Sequence, residues 1–200
     1  QAARELVQLI PSKLAPEQHE LLRNIASLLE EINQYDIAEK LWRKYTELEP
    51  QNHLMLASFL GRCEGLDRLQ QAFEMCDEAV KAGESRMEGI AQIGVSSLRK
   101  HMEALDEAGE KSQYFDVVAQ WFQAGRQRSP QSKSLKLQEA EFETLRGNTD
   151  VIVGIYRKFL TREDLDNQQR ALVKNNLAYM LAINENGKEA LGLVSDAMTF

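Results

Sequence analysis

Three histidines and two cysteines are the side chains best suited to catalysis or metal binding. Imidazole titrates near neutrality, and imidazole and thiolate both ligate transition metals. Their spacing suits neither role. His19 and His53 lie 34 residues apart, His101 stands alone, and Cys63 and Cys76 form no Cys-x-x-Cys. There is no His-Glu-x-x-His and no Gly-x-Ser-x-Gly. Gly89 and Gly94 have the separation of the glycines in a phosphate-binding loop, but Val95-Ser96 stands where Lys-Ser/Thr is required. Carboxylates are plentiful, as they are on any solvated helical surface. The chain is therefore read as non-enzymatic, with no catalytic residue, no cofactor site and no metal site.

Amides and cations carry a clearer signal. Asn175 and Asn176 sit side by side inside a segment of helical periodicity. Asparagine is up to about 0.7 kcal/mol less favourable than alanine in a helix, so an adjacent pair there suggests a task. An amide carries a donor and an acceptor together and can pair with a peptide backbone. Arg126, Arg128, Lys133 and Lys136 form a basic island, since residues 120–137 contain no acid. The two arginines end a helix, where cations complement the dipole; the island is also a candidate contact for an acidic partner.

These residues are positioned by helices. Leu21, Leu22, Ile25, Leu28, Leu29 and Ile32 recur at helical spacing, and Ile37, Ala38, Leu41, Trp42, Tyr45 and Leu48 follow in a second helix that Pro50 stops. Helix, short turn, helix is an αα-hairpin, which leaves one apolar face open and needs neighbours. Helices are predicted at 17–32, 35–48, 53–64 and 67–82. A third pair has a first helix prolonged to about 107, a loop at 108–112 and a second helix at 113–127. A fourth runs over 132–161 with a turn at Gly147-Asn148. A fifth starts near Asp166, capped by Asp164 or Asp166, and turns at Asn186-Gly187. Cys63 and Cys76 fall on interior positions of the second pair. A bridge between them is conceivable, but two small buried thiols is the simpler reading. Residues 2–10 read as the tail of an earlier helix. With the abrupt end at Phe200, they suggest a piece of a longer protein.

Ala38, Trp42 and Tyr45 are each followed 34 residues later by Ala72, Cys76 and Ala79. The eighth position of the period holds Ala26, Leu60, Gly94, Ala140 and Ala178, and the twentieth holds Ala38, Ala72, Val118, Ile152 and Ala190. On these residues the chain resembles a tetratricopeptide-repeat (TPR) protein over 19–200. Leu60, Val118, Ile152, Tyr45 and Phe159 are larger than the family norm. The resemblance implies an all-α fold, a right-handed α-α superhelix or solenoid of antiparallel helix pairs. The array is expected to be single over 1–200. Residues 1–16 would be the end of a preceding helix and a linker, with repeats near 17–50, 51–84, 85–130, 131–164 and 165–200.

The resemblance also implies that first helices line a concave, peptide-binding face. That face would carry Arg23, Asn24, Ser27, Ser58, Gln92, Gln138, Asn175, Asn176 and Tyr179, interspersed with Ala57, Gly61, Ala91 and Val95. Members that hold a terminal carboxylate use a lysine–asparagine set. Asn175 and Tyr179, or Arg23 and Ser27, stand at those positions here, so that ligand is not assigned. The expected function is a protein-interaction scaffold for a peptide or partner protein. The alternatives are an RNA-processing scaffold of the half-a-TPR type, suggested by LWRKYTELEP, and a regulatory region of an enzyme whose catalytic domain lies elsewhere. A net charge of −7 argues against nucleic acid, which needs basic surface. No apolar run approaches the roughly 20 residues of a membrane span. Oligomeric state and compartment do not follow, the cytoplasm being only the default.

Overall fold

The computed structural model describes residues 15–184 and 186–197, without the side chains of residues 17 and 197. The helical tail expected at 2–10 and the chain end at 198–200 lie outside these residues. Ten α-helices occur among the described residues, and no strand: α1 Pro16–Glu31, α2 Tyr35–Leu48, α3 His53–Arg62, α4 Leu66–Lys81, α5 Met87–Glu107, α6 Lys111–Arg128, α7 Lys133–Arg146, α8 Thr149–Leu160, α9 Asn167–Ile183 and α10 Gly187–Ala197. Consecutive helices pair as the hairpin pattern requires. The bounds differ from expectation by more than one residue in two places. Cys63 has extended backbone and ends α3 two residues earlier than expected, at Arg62. The turn between α5 and α6 is only Ala108–Glu110. Gly109, at φ 71°, closes α5: the Gly109 N–H bonds to Asp106 and the Glu110 N–H to the Leu105 carbonyl at 3.0 Å. A left-handed residue here satisfies the orphan carbonyls of α5 in three residues, so no longer loop is needed.

The chain divides into two compact units, residues 1–121 and 122–200. In the first, Leu22, Ala26, Leu41, Trp42, Phe59 and Leu60 belong to one buried cluster around α1–α3. Phe73 of α4 meets the α6 rings Tyr114 and Trp121 at 4.8 and 4.9 Å. In the second, Ala140, Ile152, Tyr156, Phe159, Val173, Leu177 and Leu181 form the core of α7–α9. Phe122 and Phe142 lie 5.3 Å apart. Asp166 caps α9: its carboxylate accepts from the Gln169 N–H at 2.7 Å, and the Gln169 side chain accepts from the Asp166 N–H at 3.3 Å.

The oversized Val118 is accommodated by a glycine. A Cβ on Gly94 would stand 2.9 Å from Val118 Cγ2 and 3.0 Å from Trp121 Cζ3. Gly94→Ala should therefore be net destabilising, overpacking at about 1–3 kcal/mol outweighing the helical gain of about 0.5–1. Gly154 lies exposed in α8 with nothing within 4 Å of its would-be Cβ. Gly154→Ala should stabilise by about 0.5–1 kcal/mol. Denaturant midpoints check both signs, and the same sign for the two would refute the packing role of Gly94.

His101 on the prolonged α5 closes the C-terminus of α3. Its Nε2–H donates to the Gly61 carbonyl at 3.2 Å, with the ring 3% exposed. Burial lowers its pKa, the nearby Lys100 adds to this, and the Gly61 carbonyl and Glu64 oppose it. A lowered folded pKa means that the unfolded chain takes up the proton first. Stability is complete above about pH 6.5, the ordinary histidine value, and is lost as pH falls through the lower folded value. Unfolding midpoints between about pH 7 and pH 5 should fall more steeply in the wild type than in His101→Gln, whose amide can still donate. Equal slopes would remove His101 from this dependence.

Candidate functional site

The second unit presents the clearest binding face, on α9. One side of this helix, with Val173, Leu177, Ala178 and Leu181, is buried in the core. The other side is also apolar, yet exposed: Leu172, Tyr179 and Ile183 are 52, 62 and 56% exposed. Their spacing of seven and four residues places them in one stripe, with Asn175 between the first two. A helix apolar on two faces has one face more than its own fold needs.

Asn175 is exposed, whereas Asn176 is half-buried and its side chain is a hydrogen-bond partner of the Tyr156 hydroxyl of α8. Burial raises the Tyr156 pKa, the Asn176 bond opposes this, and the nearby Glu141 of α7 adds to the rise. The two asparagines thus differ. Asn176 ties α9 to α8, so Asn176→Ala should lower stability, contrary to a purely ligand-facing role. Asn175 and Tyr179 are left for a ligand. On α7, Gln138 is half-buried and donates to Ser134 at 3.5 Å. Leu172 and Ile183 lie outside the site residues that the sequence predicts, although 172–183 carries a double apolar periodicity.

In the first unit the expected face is already engaged. On α1, Arg23 donates to Glu20 at 3.1 Å and to Asn24 at 3.3 Å, and Ser27 is half-buried. On α3, Ser58 accepts from Arg62 at 2.5 Å, and Arg62 also pairs with Glu30 of α1 at 2.8 Å. Gln92 is exposed on α5. The apolar residues interspersed on that face serve packing. Ala57, Gly61, Ala91 and Val95 are buried, and a Cβ on Gly61 would meet Ser97 Oγ at 2.1 Å. Their smallness lets α3 and α5 approach closely.

The basic island is largely neutralised within the second unit. Arg126 pairs with Glu139. Lys133 pairs with Asp164 at 3.2 Å, and Asp164 also accepts from Arg162 at 2.8 Å, which holds its carboxyl well below the usual range. Arg128 is exposed and Lys136 half-buried.

Each histidine has a local partner: His19 Nδ1 lies 2.5 Å from Glu49, His53 Nδ1 3.1 Å from the Pro50 carbonyl, and His101 bonds to Gly61. The His19 bond, then Gln51, lowers the Glu49 pKa. Among the described residues no three His, Cys, Asp or Glu side chains cluster as metal ligands. No described helix is long and apolar enough to cross a membrane.

No protein-family model matches the sequence, and no curated protein matches it. In structure the chain is similar to a thermophilic TPR protein of Thermus thermophilus, with a TM-score of 0.58 at 17% identity over 90% of each chain. The paired helices and this likeness make the fold an all-α, TPR-like repeat solenoid.

Proposed function

We propose that the chain is a non-enzymatic protein-interaction scaffold that takes a peptide segment along the first-helix face of its second unit. The observation that supports this reading is the exposed stripe Leu172, Tyr179 and Ile183 with Asn175 among it, on a helix whose opposite side already fills the core. Apolar side chains of the partner cover the stripe, and the Asn175 amide pairs with its backbone. Tyr179 is the anchor, an aromatic type enriched at binding hot spots.

The expected contribution of a groove through the first unit is narrower. Arg23, Asn24, Ser58 and Gln92 offer polar contacts on α1, α3 and α5, several of them already bonded to neighbours. The basic island is not carried into this reading, since Arg126 and Lys133 are paired internally.

A displayed library of random peptides selected on the full chain tests the proposal. Tyr179→Ala should weaken the selected peptides by about 1–3 kcal/mol, and Ile183→Asp by at least as much. Both positions are exposed, so stability should stay within about 0.5 kcal/mol. Selected peptides that bind both variants as they bind the wild type would overturn it.

A further inference from the structure

A cavity of about 290 Å³ lies between α4 and α6 in the first unit, away from the first-helix faces. Its floor is apolar, built from Phe73, Tyr114 and Val117, and its rim carries the carboxylates of Glu74, Asp77 and Glu110. Asp77 is paired with Lys81 at 2.5 Å. Glu74 accepts only a neutral bond from Gln70, at 2.8 Å, and neither it nor Glu110 has a cationic partner among the described residues. Two carboxylates are thus left uncompensated above an aromatic floor.

Tyr114 supplies a second observation. It is 8% exposed, lines the cavity, and its hydroxyl has no hydrogen-bond partner among the described residues. The hydroxyl oxygen itself is reached by solvent at the cavity and is open to a ligand's donor there. Burial, then Glu110 and Glu74, raises the Tyr114 pKa, as expected where negative potential gathers. Glu103 and Glu107 on the adjoining end of α5 are exposed and extend the acidic field.

We propose that this cavity takes the lysine side chain of a basic peptide segment from a partner protein. The methylene stem lies on Phe73 and Val117, as lysine stems do on apolar surface. The ammonium stands against the Tyr114 ring, a cation–π arrangement. Its three N–H donors match acceptors at three bearings: the Glu74 and Glu110 carboxylates and the Tyr114 hydroxyl. The guanidinium of arginine is a planar fork suited to one carboxylate and fits this spread of acceptors less well. The site uses second helices of two pairs, so it stands or falls independently of the α9 face.

The test uses the full chain and a fluorescent peptide, acetyl-Gly-Ser-Lys-Lys-Lys-Ser-Gly-amide, with its lysine-acetylated and arginine copies. Glu74→Gln with Glu110→Gln should weaken the lysine peptide about tenfold, and Tyr114→Phe about threefold. Glu31→Gln with Glu47→Gln, equal in charge change but on α1 and α2, outside the cavity lining, should leave affinity within about twofold. Amide shifts should fall on residues 70–77 and 110–117, and the acetylated peptide should not bind. The arginine peptide should bind more weakly than the lysine one. Equal weakening by the two double variants would show general charge attraction and overturn the proposal. So would shifts centred elsewhere, equal binding of the acetylated or arginine peptide, or no binding at millimolar concentration. All four glutamates are exposed, so circular dichroism should show unchanged helix in every variant.

Discussion

Trp121→Ala should destabilise the protein by about 3–5 kcal/mol, against the roughly 5–15 kcal/mol that a domain has in total. Trp121 is 1% exposed. It lies 4.9 Å from the Phe73 ring and packs against the bare backbone of Gly94, which has no side chain with which to fill the vacated space. In an array whose elements contact mainly their neighbours, a hole there is not relieved by remote repacking. The indole Nε1–H is buried with no partner among the described residues. Trp121→Phe removes that unpaired donor together with part of the ring, so its loss should be much smaller than that of alanine. The chain has two tryptophans, and Trp42 remains as the fluorescence probe of unfolding in both variants. A Trp121→Ala midpoint equal to that of the wild type would show that this contact does not hold the first unit together.

The two cysteines should react with a bulky aromatic disulfide on the order of a hundredfold more slowly in the native chain than in the unfolded one. Both are free and buried. Burial pushes the Cys63 thiol up to about 11 and the Cys76 thiol up to about 12. The thiolate is the nucleophile, and a free thiol ionises near about 8.5, so at mildly alkaline pH each native thiol is overwhelmingly protonated. Shielding by the helix pair adds to this. Cys63 ends α3 and Cys76 lies inside α4, so Cys63 should react first. Two thiols that react as fast in the native chain as in urea would place the second helix pair wrongly.

Helices, pairs and turns were legible in the sequence because each rests on local rules. Apolar spacing fixed α2 at 35–48, and the overlong period of the third pair gave the end of α5 at residue 107. What escaped reading was long-range. Gly61 and Ala91 look like vacancies along one helix; only the approach of α3 to α5 shows that backbone and Ser97 fill the space. Arg126 and Lys133 look like an island until the folded chain brings Glu139 and Asp164 to them. Asn175 and Asn176 are neighbours in sequence, but the helical turn between them sends Asn176 to Tyr156 and leaves Asn175 in solvent. The exposed side of α9 was readable in principle, since Leu172, Tyr179 and Ile183 repeat at helical spacing beside a second such set.

The most direct test of the α9 face is an amide chemical-shift map of the full chain with a peptide selected against it. The largest shifts should fall on 172–183 of α9, with smaller ones on the α7 segment 137–141, and the peptide should contact the Tyr179 ring. Shifts centred instead on the exposed Leu191 and Val194 of α10, with α9 unmoved, would contradict it.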